Sequence, residues 1–269
     1  MKIETKIPFP FLVLGSKTFY ERVFSKSFKE SFELFYFDHQ GFKSNPAIKE
    51  SAYTALEEIV SEIEQFRVQN SLNRFLLFGH SGHAYMALEY AKAYPERLAG
   101  LVLCACSPDL SSNTHAAAER YFQTTADDSR KRVFAQDITK LQQKVQTDPE
   151  NRFVHFVLSQ KAKNWFNPHY DPAWLWEGVP THLPTLDFVW GKLFSEYQLI
   201  PGTENIKCPV LILQGTFDFA VGPSTLWTDF LSSFSNLQFN TLPSSGHYPM
   251  LEEPEGFLKV LMDWWNMIS

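Results

Sequence analysis

Cysteine is scarce in this chain: Cys104, Cys106 and Cys208 are the only 3 among 269 residues. An odd, sparse set cannot form a disulfide framework, so reduced, buried thiols of a cytoplasmic protein are expected. The Cys104-x-Cys106 spacing lacks the second pair that a zinc site needs, and no metal or other cofactor is expected. Basic charge is also in short supply, with 24 Lys and Arg against 30 Asp and Glu, a net charge of −6. Such a balance gives no positive field to hold a phosphate backbone, so nucleic acid is not an expected partner. No apolar run reaches the ~18 residues of a membrane-spanning helix, and no membrane partner is expected. The first residues, MKIETKIPFPFLVLG, carry a short apolar stretch broken by Pro8 and Pro10, without a small-residue cleavage site. They read as a strand entering a core, not as a signal peptide. Internal repeats, low-complexity tracts and flexible linkers are missing as well.

Apolar material is plentiful: 44% of residues are hydrophobic and 16% aromatic, enough for a sizeable core and an apolar pocket. Short apolar runs at 11–14, 32–37, 75–78 and 98–106 alternate with helical patterns, the longest starting at Pro46 and carrying Ile48, Ala52, Leu56, Ile59 and Ile63. Runs apolar on both faces, separated by helices, predict a mostly parallel sheet with helices on both faces. The rhythm stops between Ser107 and Pro201, where the chain turns helical, aromatic and punctuated by proline, and resumes at 209–213, 237–242 and a last helix over 254–268. The expected organisation is therefore an α/β core made of 1–107 and 201–269, with 108–200 inserted as a helical cap.

The sharpest local signal is Phe75-Leu-Leu-Phe-Gly79-His80-Ser81-Gly82-His83. A serine in a tight strand-to-helix turn presents its hydroxyl at the carboxyl edge of the sheet, beside a helix N-terminus. The plainer reading makes Ser81 an N-cap. A serine needs a base to be reactive. Of 8 histidines, His247 lies in a loop between the last strand run and the last helix, which reaches the same edge. Asp218, just past the 209–213 run, is placed to orient that imidazole, although such residues are often turn formers. Three separate loops supplying Ser81, Asp218 and His247 in that order form a far more specific pattern than any one residue.

Gly79-His-Ser81, Gly215-x-x-Asp218, Ser245-Gly-His247 with Pro249 and Glu252-Glu-Pro after it, and Asp38-x-x-Gly41-x-x-Ser44 together resemble the α/β-hydrolase superfamily. Within it the chain is most similar to single-domain serine hydrolases with a helical lid, proline-iminopeptidase-like and carboxylesterase-like proteins among them. The resemblance implies an α/β-hydrolase fold, a Ser81–His247–Asp218 triad and a small-molecule substrate, in a monomer or homodimer. It also implies an oxyanion hole, here the N–H groups of Ser16 and Gly82. The sequence departs from the superfamily in two places. The usual G-x-S-x-G ends here in His83, and the histidine usual before Gly15 is Leu14. A short stretch before Gly15 suggests that the usual leading β-hairpin is trimmed. His83, Trp165, Trp174 and Trp190 are expected to contact substrate.

Ester or amide hydrolysis of a largely apolar substrate is the expected reaction. An aminopeptidase would hold a free amine with cap carboxylates such as Asp171, Glu177, Asp187 or Glu196. Carbon–carbon bond hydrolysis uses the same triad, and a non-catalytic ligand sensor on the same scaffold is the rival of a different class.

Overall fold

Nearly every residue of the central strands is apolar, which commits both faces of the sheet to burial. The computed structural model describes residues 8–44, 47–200 and 202–268. Strands β1 (Phe9–Leu14), β2 (Phe32–Phe37), β3 (Phe75–His80), β4 (Leu98–Cys104), β5 (Val210–Gly215) and β6 (Leu237–Leu242) form a 6-stranded sheet in the order β2-β1-β3-β4-β5-β6. Every pairing is parallel. The expected trimming of a leading hairpin concerns residues that lie largely outside the described ones.

Helices α1 (Lys17–Val23), α2 (Lys26–Ser31), α3 (Leu56–Gln69) and α4 (His83–Ala93) follow the first strands. Leu12, Leu14, Phe75 and Leu77 join residues of α3 and α4 in one core. Phe11, Val13, Leu76 and Phe78, of opposite parity, join α1, α2 and the C-terminal helix in the other. This period of two is what a sheet covered on both faces requires. Each fully buried phenylalanine in these layers contributes about 2 kcal/mol of transfer free energy.

Between Cys104 and Val210 the described chain makes no strand. It builds α5 (Ser112–Thr125), α6 (Asp128–Thr147), α7 (Arg152–Ser159), α8 (Lys161–Asn164), α9 (Ala173–Trp176) and α10 (Leu183–Phe188), then a π-helical stretch over Val189–Leu193. After the sheet come α11 (Pro249–Glu252) and α12 (Pro254–Ile268). Arg130 of α6 clasps this insertion from within. Its guanidinium donates to the carbonyls of Ala162 (2.7 Å), Trp165 (2.7 Å) and Phe166 (2.5 Å), and stacks 5.3 Å from the Phe219 ring.

The helix expected from Pro46 onward starts only at Leu56. Tertiary contacts override the periodicity before it. The N–H of Ala52 donates to Thr185 Oγ1 (2.9 Å) and the Ile48 carbonyl accepts from His182 Nε2 (2.9 Å), which ties the segment, as an irregular run of bends, to the insertion. Glu58 then reaches back to the N–H of Thr54 (2.7 Å) and starts the helix.

Candidate active site

The turn after β3 is strained at one residue. Ser81 has φ +55°, a left-handed conformation that costs a non-glycine residue about 1–3 kcal/mol. Its N–H donates to the Cys104 carbonyl (2.9 Å) at the end of β4, which holds the turn down. Close approach makes it possible: a Cβ on Gly79 would stand 2.6 Å from the Ala84 Cα and 2.8 Å from the Ala87 Cβ, so only glycine lets α4 fold back over β3. Ser81 does not serve as a cap. Gly82 occupies the N-cap position of α4, with no side-chain cap bond.

Asp218 and His247 meet at the same edge. His247 Nδ1–H donates to Asp218 Oδ2 at 2.8 Å, and both side chains are almost fully buried, Asp218 at 0% exposure and His247 at 6%. The other carboxylate oxygen accepts from the N–H groups of Ala220 (3.0 Å) and Val221 (3.3 Å). A carboxylate so held fixes the imidazole tautomer, with the proton on Nδ1 and a lone pair on Nε2. Glu252 supports the histidine loop by accepting from Gly246 N (2.9 Å) and Tyr248 N (3.3 Å), and reaches the insertion at Phe166 N (2.6 Å). Burial pushes this carboxyl up to about 7, against the pull of those three N–H groups. Among the described residues no hydrogen bond joins Ser81 to the His247 ring, yet both line one cavity of about 600 Å³. Such contacts commonly tighten only with substrate bound.

The N–H groups of Ser16 and Gly82 take part in no hydrogen bond among the described residues, and both residues line the cavity. Ser16 instead uses its hydroxyl to cap α1 at Phe19 N (3.4 Å), while Asp38 accepts from Lys17 N (2.7 Å). Gly15, at φ +123°, makes room for the rings below it: a Cβ there would stand 2.5 Å from Tyr20 and 3.0 Å from His83.

Three further histidines surround the turn, and their bonds fix every tautomer. Gly41 N–H donates to His39 Nδ1 (3.0 Å), so His39 Nε2 carries the proton and donates to His83 Nε2 (3.2 Å). His83 then bears its proton on Nδ1, facing the His80 carbonyl (3.2 Å). The Tyr20 hydroxyl donates to His80 Nδ1 (3.0 Å), and His80 Nε2–H donates to the His247 carbonyl (2.7 Å). Burial keeps all three imidazoles neutral, with His39 and His80 well below the usual range and His83 lowered to about 4. The departure at His83 therefore leaves the turn tight. Its ring fills the space beneath Gly15 as well as facing the cavity. Tyr20 and His80 link the loops after β1, β3 and β6, a role that no local sequence pattern signals.

Of the four aromatic and histidine side chains expected at the substrate, His83 and Trp190 line the cavity, and Trp165 and Trp174 do not. Trp165 is buried and stacks on Tyr248 (4.5 Å between ring centres), while Trp174 is 40% exposed and donates its indole N–H to the Tyr170 hydroxyl (2.9 Å). Their places are taken by Phe42, Phe153 and Trp176, whose ring centres lie 5.6–6.5 Å apart, with Phe42 and Phe153 also 6.4 and 6.0 Å from Trp190. The lining also carries hydrophilic residues, His115, Glu119, Gln160, Lys163 and Asn164. Glu119 is its one carboxylate, and it is paired with Lys163 (2.7 Å). Asp171, Glu177, Asp187 and Glu196 are all exposed outside the cavity, Asp187 in an ion pair with Arg152. Among the described residues no group of three or more His, Cys, Asp or Glu side chains is arranged to hold a metal ion, and no helix is long and apolar enough to cross a membrane.

Comparison with known proteins identifies the fold family. The chain is 35% identical over 255 residues to the AB hydrolase superfamily protein YclE of Bacillus subtilis (strain 168), covering 95% of this chain and 91% of that one. It is 25% identical over 251 residues to a proline iminopeptidase of Heyndrickxia coagulans, covering 86% and 81%. The crystal structure of VinJ superposes on 100% of this chain and 93% of its own with a TM-score of 0.74, at 17% identity. Residues 12–254 match the model of the alpha/beta hydrolase fold family, and the chain belongs to that family.

Proposed function

We propose that the protein is a serine hydrolase that cleaves an ester of a small, largely apolar acid, with residues 108–200 acting as the cap over its site. The observation that carries this reading is the buried Asp218–His247 pair on the wall of the cavity that the strained Ser81 also lines. In this mechanism His247 Nε2 takes the Ser81 proton as Oγ attacks the acyl carbon. The oxygen of the tetrahedral intermediate receives the N–H groups of Gly82 and Ser16, each worth ~10²–10³ in rate. Its collapse breaks the bond to the leaving group, which takes the proton from His247 and leaves an acyl-Ser81. A water that gives its proton to His247 then attacks the acyl carbon and releases the acid, restoring the Ser81 hydroxyl. Asp218 stabilises the imidazolium that forms twice in the cycle.

Esters are favoured over aminopeptidase substrates by the charge of the cavity. A free substrate amine needs an unpaired carboxylate, and Glu119, the carboxylate on the cavity wall, is already neutralised by Lys163. The test is a panel of p-nitrophenyl esters of graded chain length beside proline and alanine arylamides, with wild type and Ser81→Ala. Ester turnover lost in Ser81→Ala is expected. Turnover of proline amides alone would reverse the choice of substrate, and inactivity on the whole panel with tight binding of an apolar ligand would favour a sensor.

A further inference from the structure

The two proposed oxyanion donors, the N–H groups of Ser16 and Gly82, sit in the loops after β1 and β3, whose strands pair from Phe11 with Leu76 to Val13 with Phe78. Among the described residues no main-chain hydrogen bond joins Gly15 or Ser16 to residues 81–83. The His83 ring spans that gap. A Cβ on Gly15 would stand 3.0 Å from His83 Cε1 and 3.2 Å from Nε2, so one edge of the ring lies against the Gly15 main chain. Both ring nitrogens are committed inside the protein. Nδ1–H donates to the His80 carbonyl of its own turn (3.2 Å), and Nε2 accepts from His39 Nε2–H (3.2 Å). His39 is tied in turn to Gly41 N–H (3.0 Å) in the loop after β2. The Tyr20 hydroxyl of α1 stands 3.0 Å from His80 Nδ1 and 3.5 Å from His83 Nδ1.

A planar ring bonded at both ends is a spacer of fixed length and orientation between three loops. Its nitrogens are used up, so its polar atoms have nothing left to offer a substrate. What it can do is hold the loops on either side of it apart by one ring. Resting on the serine hydrolase reading above, we infer that His83, locked by His39, is a positioning residue that sets the separation of the Ser16 and Gly82 N–H groups. An oxyanion hole depends on that separation, since each donor must stand about 2.7–3.1 Å from one oxygen. A displacement of ~1 Å in such a group costs ~10²-fold in rate. The departure from the superfamily pattern at position 83 thereby acquires a use: the ring is part of what shapes the hole.

The experiment measures kcat and KM on a p-nitrophenyl ester, and inhibition by phenylboronic acid, in wild type, Ser81→Ala, His83→Gly and His83→Gln. The boronic acid gains a bond from Ser81 Oγ to boron as the serine proton passes to His247, and one boron-bound oxygen takes the oxyanion position. His83→Gly restores the glycine of the usual motif, yet it is expected to lower kcat by ~10²-fold with little change in KM. Phenylboronic acid should bind it at least ~10-fold more weakly. His83→Gln, whose amide can still accept from His39 and donate to the His80 carbonyl, is expected to stay within ~10-fold of wild type in kcat. An unchanged kcat in His83→Gly overturns the inference. So does a rise in KM alone with boronate binding unchanged, which would make His83 a substrate contact. If His83→Gly does not fold, His39→Phe decides, because it keeps a ring there and removes the bond that locks His83. A lower kcat with weaker boronate binding supports the inference, and no change in either contradicts it. Wild type without ester turnover, or equal turnover in Ser81→Ala, overturns the hydrolase reading itself and the inference with it.

Discussion

The two walls of the cavity are built on different terms. On the sheet edge nearly every polar group is committed: Asp218 to three donors, His80 to Tyr20 and the His247 carbonyl, His83 to His39 and the His80 carbonyl. On the insertion, aromatic rings pack against one another and Asn164 Oδ1 is unpartnered. A saturated network holds reacting groups in one arrangement, whereas an aromatic lining can change by single residues without disturbing it. In this account the sheet edge performs the reaction and the insertion chooses what undergoes it.

The largest expected effect probes the sheet edge. Asp218→Asn should lower kcat by about 10⁴ with KM nearly unchanged, because the amide favours the wrong imidazole tautomer. Steady-state kinetics on a p-nitrophenyl ester checks this, and a loss below tenfold would remove the contrast between the walls.

Acid titration comes next. A histidine whose folded pKa is depressed binds fewer protons folded than unfolded, so its stabilisation is present above about 6.5 and is lost as pH falls toward the folded value. His83, lowered from 6.5 to about 4, contributes about 3 kcal/mol in this way at neutral pH. Glu252, raised to about 7, has the opposite sign: its contribution is present below its ordinary range near 4.5 and is lost as pH rises through about 7. Urea unfolding of wild type and His83→Gln at pH 7 and pH 4 cancels the Glu252 effect. Wild type is expected to lose about 3 kcal/mol more than the variant between the two pH values, and equal losses would mean that the histidine cluster is not held neutral.

Arg130→Met should lower stability by about 2 kcal/mol in equilibrium unfolding, since three carbonyls inside the insertion lose a charged donor. An unchanged midpoint would show the insertion to be held by its aromatics alone. Smallest of all, Trp190→Ala is expected to shift chain-length preference among p-nitrophenyl esters by about tenfold, mainly through KM. A fall in kcat at every chain length instead would move Trp190 from the selecting wall to the reacting one.

Much of the sheet half was legible in the sequence because strands buried on both faces must be continuous apolar runs. β6 falls on the residues the pattern marks, 237–242, and the 98–106 run overshoots β4 by two residues. The loops carrying Ser81, Asp218 and His247 could be located because each follows such a run. The helical half was less legible. Two residues apart in a helix differ in direction by about 200°, so Trp174 and Trp176 cannot both face the cavity, and spacing alone does not say which one does. The segment before α3 looks helical, and contacts with Thr185 and His182, more than a hundred residues away, help hold it out of a helix. His39, His80 and Tyr20 belong to the same class: their roles arise from bonds between distant loops that no local pattern encodes.

Labelling with a fluorophosphonate probe, followed by peptide mapping, tests the central claim most directly. The account predicts a single adduct on Ser81, formed rapidly in wild type, absent from Ser81→Ala and slowed by about 10³-fold or more in His247→Ala. An unlabelled Ser81, or labelling that proceeds equally well without the His247 imidazole, would contradict it.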